Sequence, residues 1–427
     1  MADVAPHRER ALRRRSGPAA ATQLRSPHAG VSGYPISSGK DARRLTPIES
    51  VPTSATARVD SVDALRGFTI FWILGGDALA WALKDMSFDR EGFWSAAAGA
   101  IGDQLQHAPW EGVRFYDLIF PMFIFVTGVS IVLALPRLVE REGKWAAHRR
   151  VLWRSLLLFV LGLIYYGGVS NMWPDIRLLG VLQRIAICYL VASLLFLNLS
   201  TRALIATFAA LLVGYWALMT FVPVPGIGAG SFAEGANLAN WLDAHYLPGL
   251  KWNGEWDPEG LLSTLPAIAT CLLGVFAGML LKDTRVEPSQ KALWFIGAGV
   301  AMVAAGFLWG LQFPVNKNIW TSSFVFVTGG FSAILLGTLY HLVDVRGWKA
   351  WTMMFIWIGA NPITLYFLDN IVSFRAVAAR LVGGDVANFF DTHFSSGAGK
   401  FVIAAVGLAL AVAVANFLYR RKIFLRV

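Results

Sequence analysis

Long apolar runs, broken at short intervals by charged or Gly- and Pro-rich stretches, dominate the chain from about residue 65 onward. A helix that crosses a bilayer needs roughly 20 predominantly apolar residues. Runs of about that length recur at 65–83, 115–136, 151–168, 178–198, 203–222, 261–281, 291–312, 321–343, 352–372 and 400–419. The pattern predicts an all-α polytopic membrane protein of about ten transmembrane helices. Asn361-Pro362 inside the ninth run predicts a kink, because proline removes a backbone donor and crowds the preceding turn. Asn361 itself reads as structural.

Composition agrees with this reading. Hydrophobic residues make up 56% of the chain and charged residues 15%, with a mean hydropathy of +0.54. A soluble domain carries about 25% charged residues, so this chain has too little polar surface to cover itself in water. Residues 1–60 differ: they hold ten Lys and Arg against five Asp and Glu, are rich in Ser, Pro, Ala and Gly, and contain no apolar run. They read as a disordered basic tail, without the apolar stretch and cleavage site of a secretory signal. Residues 61–427 then form one membrane domain.

The net charge of +10 does not mark a nucleic-acid surface, since the basic residues collect in the tail and in short connections between apolar runs. Most of the 37 Lys and Arg fall on one side if the N-terminus is cytoplasmic. Both termini are therefore expected in the cytoplasm, with the protein multi-pass in the inner (cytoplasmic) membrane. Two long connections, at about 84–114 and 223–260, then face outward, and long loops in membrane bundles usually carry function. Cys188 and Cys271 each lie inside an apolar run and read as small core residues.

The chemistry concentrates in a few blocks. His107-Ala108-Pro109-Trp110-Glu111-Gly112 closes the first long loop, and Asp117 follows at the start of the next run. Histidine titrates near neutrality and can take a proton from an attacking amine or hydroxyl and return it. The plainer alternative is an interfacial His beside an anchoring Trp. Asp77, inside the first run, either orients His107 by hydrogen bonding or pairs with an arginine such as Arg184. Gln183 and Arg184 lie one turn inside a span, where structural pairing and phosphate binding are both open. Asp257-Pro258-Glu259 reads first as a helix N-cap with Pro at the first position. Asn316-Lys317 sits on the outward side, where Lys317 either contacts an anionic donor or polar acceptor or snorkels from a helix end. The chain has no Walker loop, no HExxH, no CxxC and no clustered His and Asp set, so no metal is expected.

Five blocks in order carry a resemblance: Ser61-Val62-Asp63-Ala64-Leu65-Arg66-Gly67, the His107 block, Gly180-Val181-Leu182-Gln183-Arg184-Ile185, Asp257-Pro258-Glu259-Gly260 and Pro314-Val315-Asn316-Lys317-Asn318-Ile319-Trp320. Together they resemble the heparan-alpha-glucosaminide N-acetyltransferase family and its bacterial relatives over about residues 58–373. The resemblance implies a transmembrane acyltransferase domain over 61–427, moving acetyl from cytosolic acetyl-CoA to an amino sugar or cell-envelope glycan on the far side. It implies that His107 matches the family's catalytic histidine and that Asp77 stands where the family has a catalytic asparagine. The family's His-Ala-x-Trp-Asn-Gly block reads here with Pro109 at the variable position and Glu111 in place of Asn, so the acceptor contacts are expected to differ. Arg184, Gln183, Lys317 and Asn316 are then expected on the coenzyme. Trp110, Glu111, Asp117, Asp257 and Glu259 are expected on the acceptor, and a homodimer is left open. A polysaccharide O-acetyltransferase shares this topology. A transporter or flippase without covalent chemistry is the other competitor, and inverted repeats would support it.

Overall fold

The computed structural model describes residues 59–87 and 92–424. The expected basic tail, 1–60, lies outside the described residues except for its last two. Among the described residues the secondary structure is helical, with one isolated bridge between Val224 and Gly228. In chain order the helices are α1 (Asp60–Ser87), α2 (Phe93–Gln104), α3 (Ile119–Glu142), α4 (Lys144–Tyr165) and α5 (Val181–Asn198). Next come α6 (Thr201–Phe221), α7 (Leu238–Tyr246), α8 (Thr264–Lys282), α9 (Pro288–Gly310) and α10 (Ser322–Leu339). The last five are α11 (Met353–Ala360), α12 (Pro362–Val372), α13 (Phe374–Val382), α14 (Asp385–His393) and α15 (Ala398–Arg420).

Each of the ten apolar runs is largely helical. Among the described residues, seven helices are long and apolar enough to cross a membrane, or eight if α11 and α12 form one bent span. The other two runs lie in α1 and α4, whose apolar stretches are interrupted by Arg66 and Asp77 and by Arg149, Arg150 and Arg154. The expected kink is present: α11 and α12 meet at Asn361 with a bend of 71°. Asn361 Nδ2 donates to the Ile423 carbonyl at 2.9 Å, a structural role. Cys188 and Cys271 are free and buried, as small core residues should be.

The bundle has an inside and an outside. In α3, α8 and α10, 72% of the apolar window is buried within the protein, against 22% in α6 and α9. Helices associate in a bilayer through close packing rather than through water exclusion, so small residues gather where they cross. A Cβ on Gly128 of α3 would lie 2.0 Å from the Cys271 carbonyl oxygen, and one on Gly274 of α8 would lie 1.9 Å from that of Phe125. The two backbones meet with no room for a side chain. Gly128→Val is therefore expected to cost about 3 kcal/mol or more, at the upper end of overpacking penalties. A thermal melt and the monodisperse yield in detergent check this; an unchanged melt would show that α3 and α8 do not pack this way.

Two long connections stand over one end of the bundle. The first, between α1 and α3, contains α2 and the His107 block. The second, between α6 and α8, contains α7 and the Asp257-Pro258-Glu259 stretch. Their tips carry the polar groups described next.

Candidate functional site

His107 precedes a tight turn, Phe115–Leu118, that feeds α3. Asp117 occupies the third position of that turn and is buried. One of its oxygens, Oδ2, accepts from the Ala108 and Arg114 backbone N–H groups, each at 3.0 Å. The other, Oδ1, is 2.7 Å from His107 Nδ1. The turn thus builds a fixed carboxylate whose remaining oxygen holds the imidazole. The His107 side chain keeps 51% of its surface exposed, and its ring packs on Tyr116 at 4.8 Å between centroids.

A second element meets the same ring. In the loop between α9 and α10, Asn316 Oδ1 accepts from the Asn318 and Ile319 N–H groups at 2.8 and 3.2 Å. Asn316 N donates to Thr321 Oγ1 at 3.0 Å. That closed turn presents Lys317, whose Nζ lies 2.8 Å from His107 Nδ1 and 3.0 Å from Nε2. It also lies 3.6 Å from Asp117 Oδ1. Burial pushes the Lys317 ammonium below the ordinary lysine range, while Asp117 and Glu259 pull it back up. Gly112 N donates to the Val315 carbonyl at 2.7 Å, stitching the two loops together.

Beneath them lies a buried polar layer. Arg177 grips Asp257 with two bonds, at 2.9 and 2.7 Å, and Glu259 with a third at 2.7 Å. Burial alone would disfavour the Arg177 charge, but the two carboxylates outweigh it and hold the guanidinium firmly protonated. The Tyr166 and Trp252 rings, edge-to-face with one another, both face that guanidinium, with centroids at 4.5 and 4.9 Å. Arg184 on α5 is fully buried, donates to the Gly260 carbonyl and Ser263 Oγ, and lies 5.0 Å over the Trp320 ring. Among the described residues its Nε and Nη1 have no hydrogen-bond partner, and neither do Gln183 Oε1 and Asn316 Nδ2. A buried donor without a partner is costly, so this layer has unmet capacity for a polar ligand.

Several expectations are met differently. Asp77 does not orient His107. It is exposed on α1, accepts from its own neighbour Ala78 N at 2.7 Å, and its charge is felt at Tyr116. Asp117, ten residues beyond His107, holds the imidazole instead, because the intervening turn delivers it there. Arg184 pairs with backbone and hydroxyl groups rather than with Asp77. Asp257 does not cap a helix either: α8 begins later, at Thr264, and Asp257 accepts from Glu259 N at 2.9 Å in a local turn. Both Asp257 oxygens are taken by Arg177 and by the Trp252 and Glu259 N–H groups, and Glu259 gives Oε2 to Arg177. Trp110 Nε1 donates to the Phe232 carbonyl at 3.0 Å and its ring meets the edge of Trp256, so it joins the two long loops. Glu111 is exposed beside it. The Ser61–Gly67 block lies outside this cluster: Arg66 binds Ser130 Oγ on α3 and the Gly359 carbonyl on α11.

One carboxylate was not anticipated from the residues at all. Asp243 on α7 accepts from Leu261 N at 2.9 Å and Asp257 N at 3.4 Å, shaping the loop that carries Glu259. Burial pushes its carboxyl up to about 6, against the pull of those N–H groups. An acid raised in the folded state binds more protons folded than unfolded between its two pKa values. Stability contributed by Asp243 is therefore present at pH 4 and is lost as pH rises towards 6. The melting temperature of the native chain, relative to Asp243→Asn, is expected to fall across that window and then stay level. A constant difference from pH 4 to 7 would contradict the assignment.

A family model described as "Heparan-alpha-glucosaminide N-acetyltransferase, catalytic" matches residues 58–305. That stretch includes His107, Asp117, Arg177, Arg184, Asp257 and Glu259, and stops short of Lys317. The chain is also similar to two proteins named heparan-alpha-glucosaminide N-acetyltransferase. The one from Homo sapiens is 29% identical over 391 residues, covering 75% of this chain and 56% of the relative. The one from Mus musculus is 28% identical over 390 residues, with the same coverage. The chain thus spans little more than half the length of these relatives.

Proposed function

The chain belongs to the heparan-alpha-glucosaminide N-acetyltransferase catalytic family, and from that premise we propose that it is a transmembrane acetyltransferase. It takes acetyl from cytosolic acetyl-CoA and delivers it to an amino sugar or glycan beyond the membrane. Ten spans with both termini in the cytoplasm bring the His107 loops to the outer face of the inner membrane, and residues 61–427 form the acyltransferase domain. The observation that carries this reading is the half-exposed His107 imidazole held between Asp117 and Lys317.

Those three side chains divide the work. With Nδ1–H donated to Asp117, the lone pair of Nε2 is the base. The acceptor nitrogen attacks the thioester carbonyl, His107 takes its proton, the C–S bond breaks, and the imidazolium returns that proton to the sulfur so that the coenzyme leaves as its thiol. Lys317 sits beside the ring, where negative charge develops on the carbonyl oxygen, and an oriented donor there strengthens in the transition state. An acetyl-imidazole route uses the same groups in two steps. Arg184, Gln183 and Asn316 offer unpaired polar atoms to the amides of the pantetheine arm. Asp77, exposed near Tyr116, together with Trp110 and Glu111, meets the acceptor at the mouth. The bend at Asn361 favours a second reading, a transporter with a broken span.

The test uses purified full-length protein in proteoliposomes. Acetyl-CoA is supplied on one side and a panel of amino sugars and hydroxyl-bearing glycans on the other, with product detected by mass. Acetylated amine across the membrane, dependent on acetyl-CoA, is the expected result. Ester products alone would move the reading to O-acetylation. Counter-flow of sugar without acetyl-CoA consumption would replace it with transport.

A further inference from the structure

The basic residues at the start of α4 are not used by the chemistry above. Lys144, His148, Arg149 and Arg150 crowd its first two turns. The antiparallel neighbour α5 ends at the same level, where Asn198 Nδ2 lies 3.0 Å from His148 Nε2. From this charged rim a groove of about 510 Å³ runs between the two helices. Leu152, Trp153, Leu156 and Phe159 of α4 and Ile187 and Leu190 of α5 line it, with Arg149 at the rim. Ser155 faces it too, but its hydroxyl is already given to the Val151 carbonyl at 2.9 Å. The groove therefore offers hydrocarbon along its length and cationic hydrogen-bond donors at one end.

We propose that this groove binds one anionic glycerophospholipid, its phosphate on Arg149 and Arg150 and an acyl chain between α4 and α5. Three observations fix the class of ligand. The ten helical steps from Arg149 to Phe159 rise about 15 Å, half of the roughly 30 Å hydrocarbon thickness, so the groove is one leaflet deep. Trp145 and Trp153 are 74% and 65% exposed beside the rim, the position that indole takes at a membrane interface. The cations sit at that level and leave the depth of the groove apolar. Arg154, the next basic residue, turns inward over the Tyr189 ring at 4.9 Å instead of adding charge to the groove. A basic rim above an apolar slot between spans suits an anionic headgroup with its tail attached.

Native mass spectrometry of the full chain in mild detergent tests this, with phosphatidylglycerol and phosphatidylcholine of identical acyl chains as probes. Phosphatidylglycerol is expected to bind at least about tenfold more tightly. Arg149→Ala with Arg150→Ala should remove that preference, a loss of roughly 10- to 30-fold from two interfacial cations. Leu156→Trp, filling the slot, should weaken both lipids. All three side chains are exposed, so an unchanged melting temperature confirms that the variants fold. Equal retention of the two headgroups, or retention unaffected by the variants, overturns the proposal. So does efficient disulfide formation between two Leu156→Cys chains, which would make a second copy the occupant.

Discussion

A His107→Ala protein is expected to fold normally and to lose acetyl transfer by about 10²- to 10⁴-fold, the range that a positioned general base supplies. Folding survives because little rests on the ring. The imidazole is half exposed, and without it Asp117 keeps its bonds from Ala108 N and Arg114 N, with Lys317 still 3.6 Å away. Catalysis does not survive, because among the described residues no other imidazole shares that carboxylate. Mass-detected product and a thermal melt on the same preparation read the two effects separately. Transfer within a few-fold of the native rate, in a protein with an unchanged melt, would remove His107 from the reaction. A single turnover with labelled acetyl-CoA then distinguishes the routes: label on the peptide containing His107 marks a covalent intermediate, and its absence with label in the sugar marks direct attack.

What could be read without coordinates follows from how locally each feature is encoded. The apolar runs are local signals roughly 20 residues long, and their limits fall close to the helix ends: 203–222 against Thr201–Phe221, and 291–312 against Pro288–Gly310. The break at Asn361-Pro362 is local too, since proline cannot continue the hydrogen-bond ladder. By contrast, α13 and α14 are nine-residue amphipathic helices inside what reads as a connection, too short for an apolar-run criterion. His107 itself is legible, as a titratable side chain just before an apolar run. Its partners are less so. The link from His107 to Lys317 spans 210 positions and that from Arg177 to Asp257 spans 80. Nothing in either neighbourhood names the other end. Asp344 illustrates the same limit: it caps α1 through Asp60 N and Ser61 N, both at 3.1 Å, from 283 or more residues away.

Asp77 and Asp117 were both visible as acids near the site, and choosing between them required the turn. An acid inside an apolar helix costs free energy and so attracts a functional reading. An acid at the start of a helix has an ordinary explanation in the favourable field of the N-terminus. Here the ordinary position holds the imidazole. Its two backbone bonds fix the side chain before the histidine arrives, and a fixed partner orients a ring with little further entropy loss.

Asp117→Asn is consequently the second substitution with a large expected effect. The amide matches the carboxylate in shape and its oxygen can still accept from Ala108 N and Arg114 N, so the turn should persist. Its NH₂ group then faces His107 Nδ1, which can only accept from it. The imidazole proton moves to Nε2, and the lone pair that serves as base is lost. Breaking a comparable carboxylate–imidazole pair costs on the order of 10⁴ in kcat where the wrong tautomer is enforced. A fall of about 10³ to 10⁴ in kcat is expected, with KM nearly unchanged because Asp117 is fully buried. The loss should not multiply with that of His107→Ala, since the two residues act as one unit and a double variant has only one base to lose. Multiplicative losses, or an Asp117→Asn enzyme within tenfold of the native rate, would mean that the carboxylate shapes the loop without setting the proton on the ring.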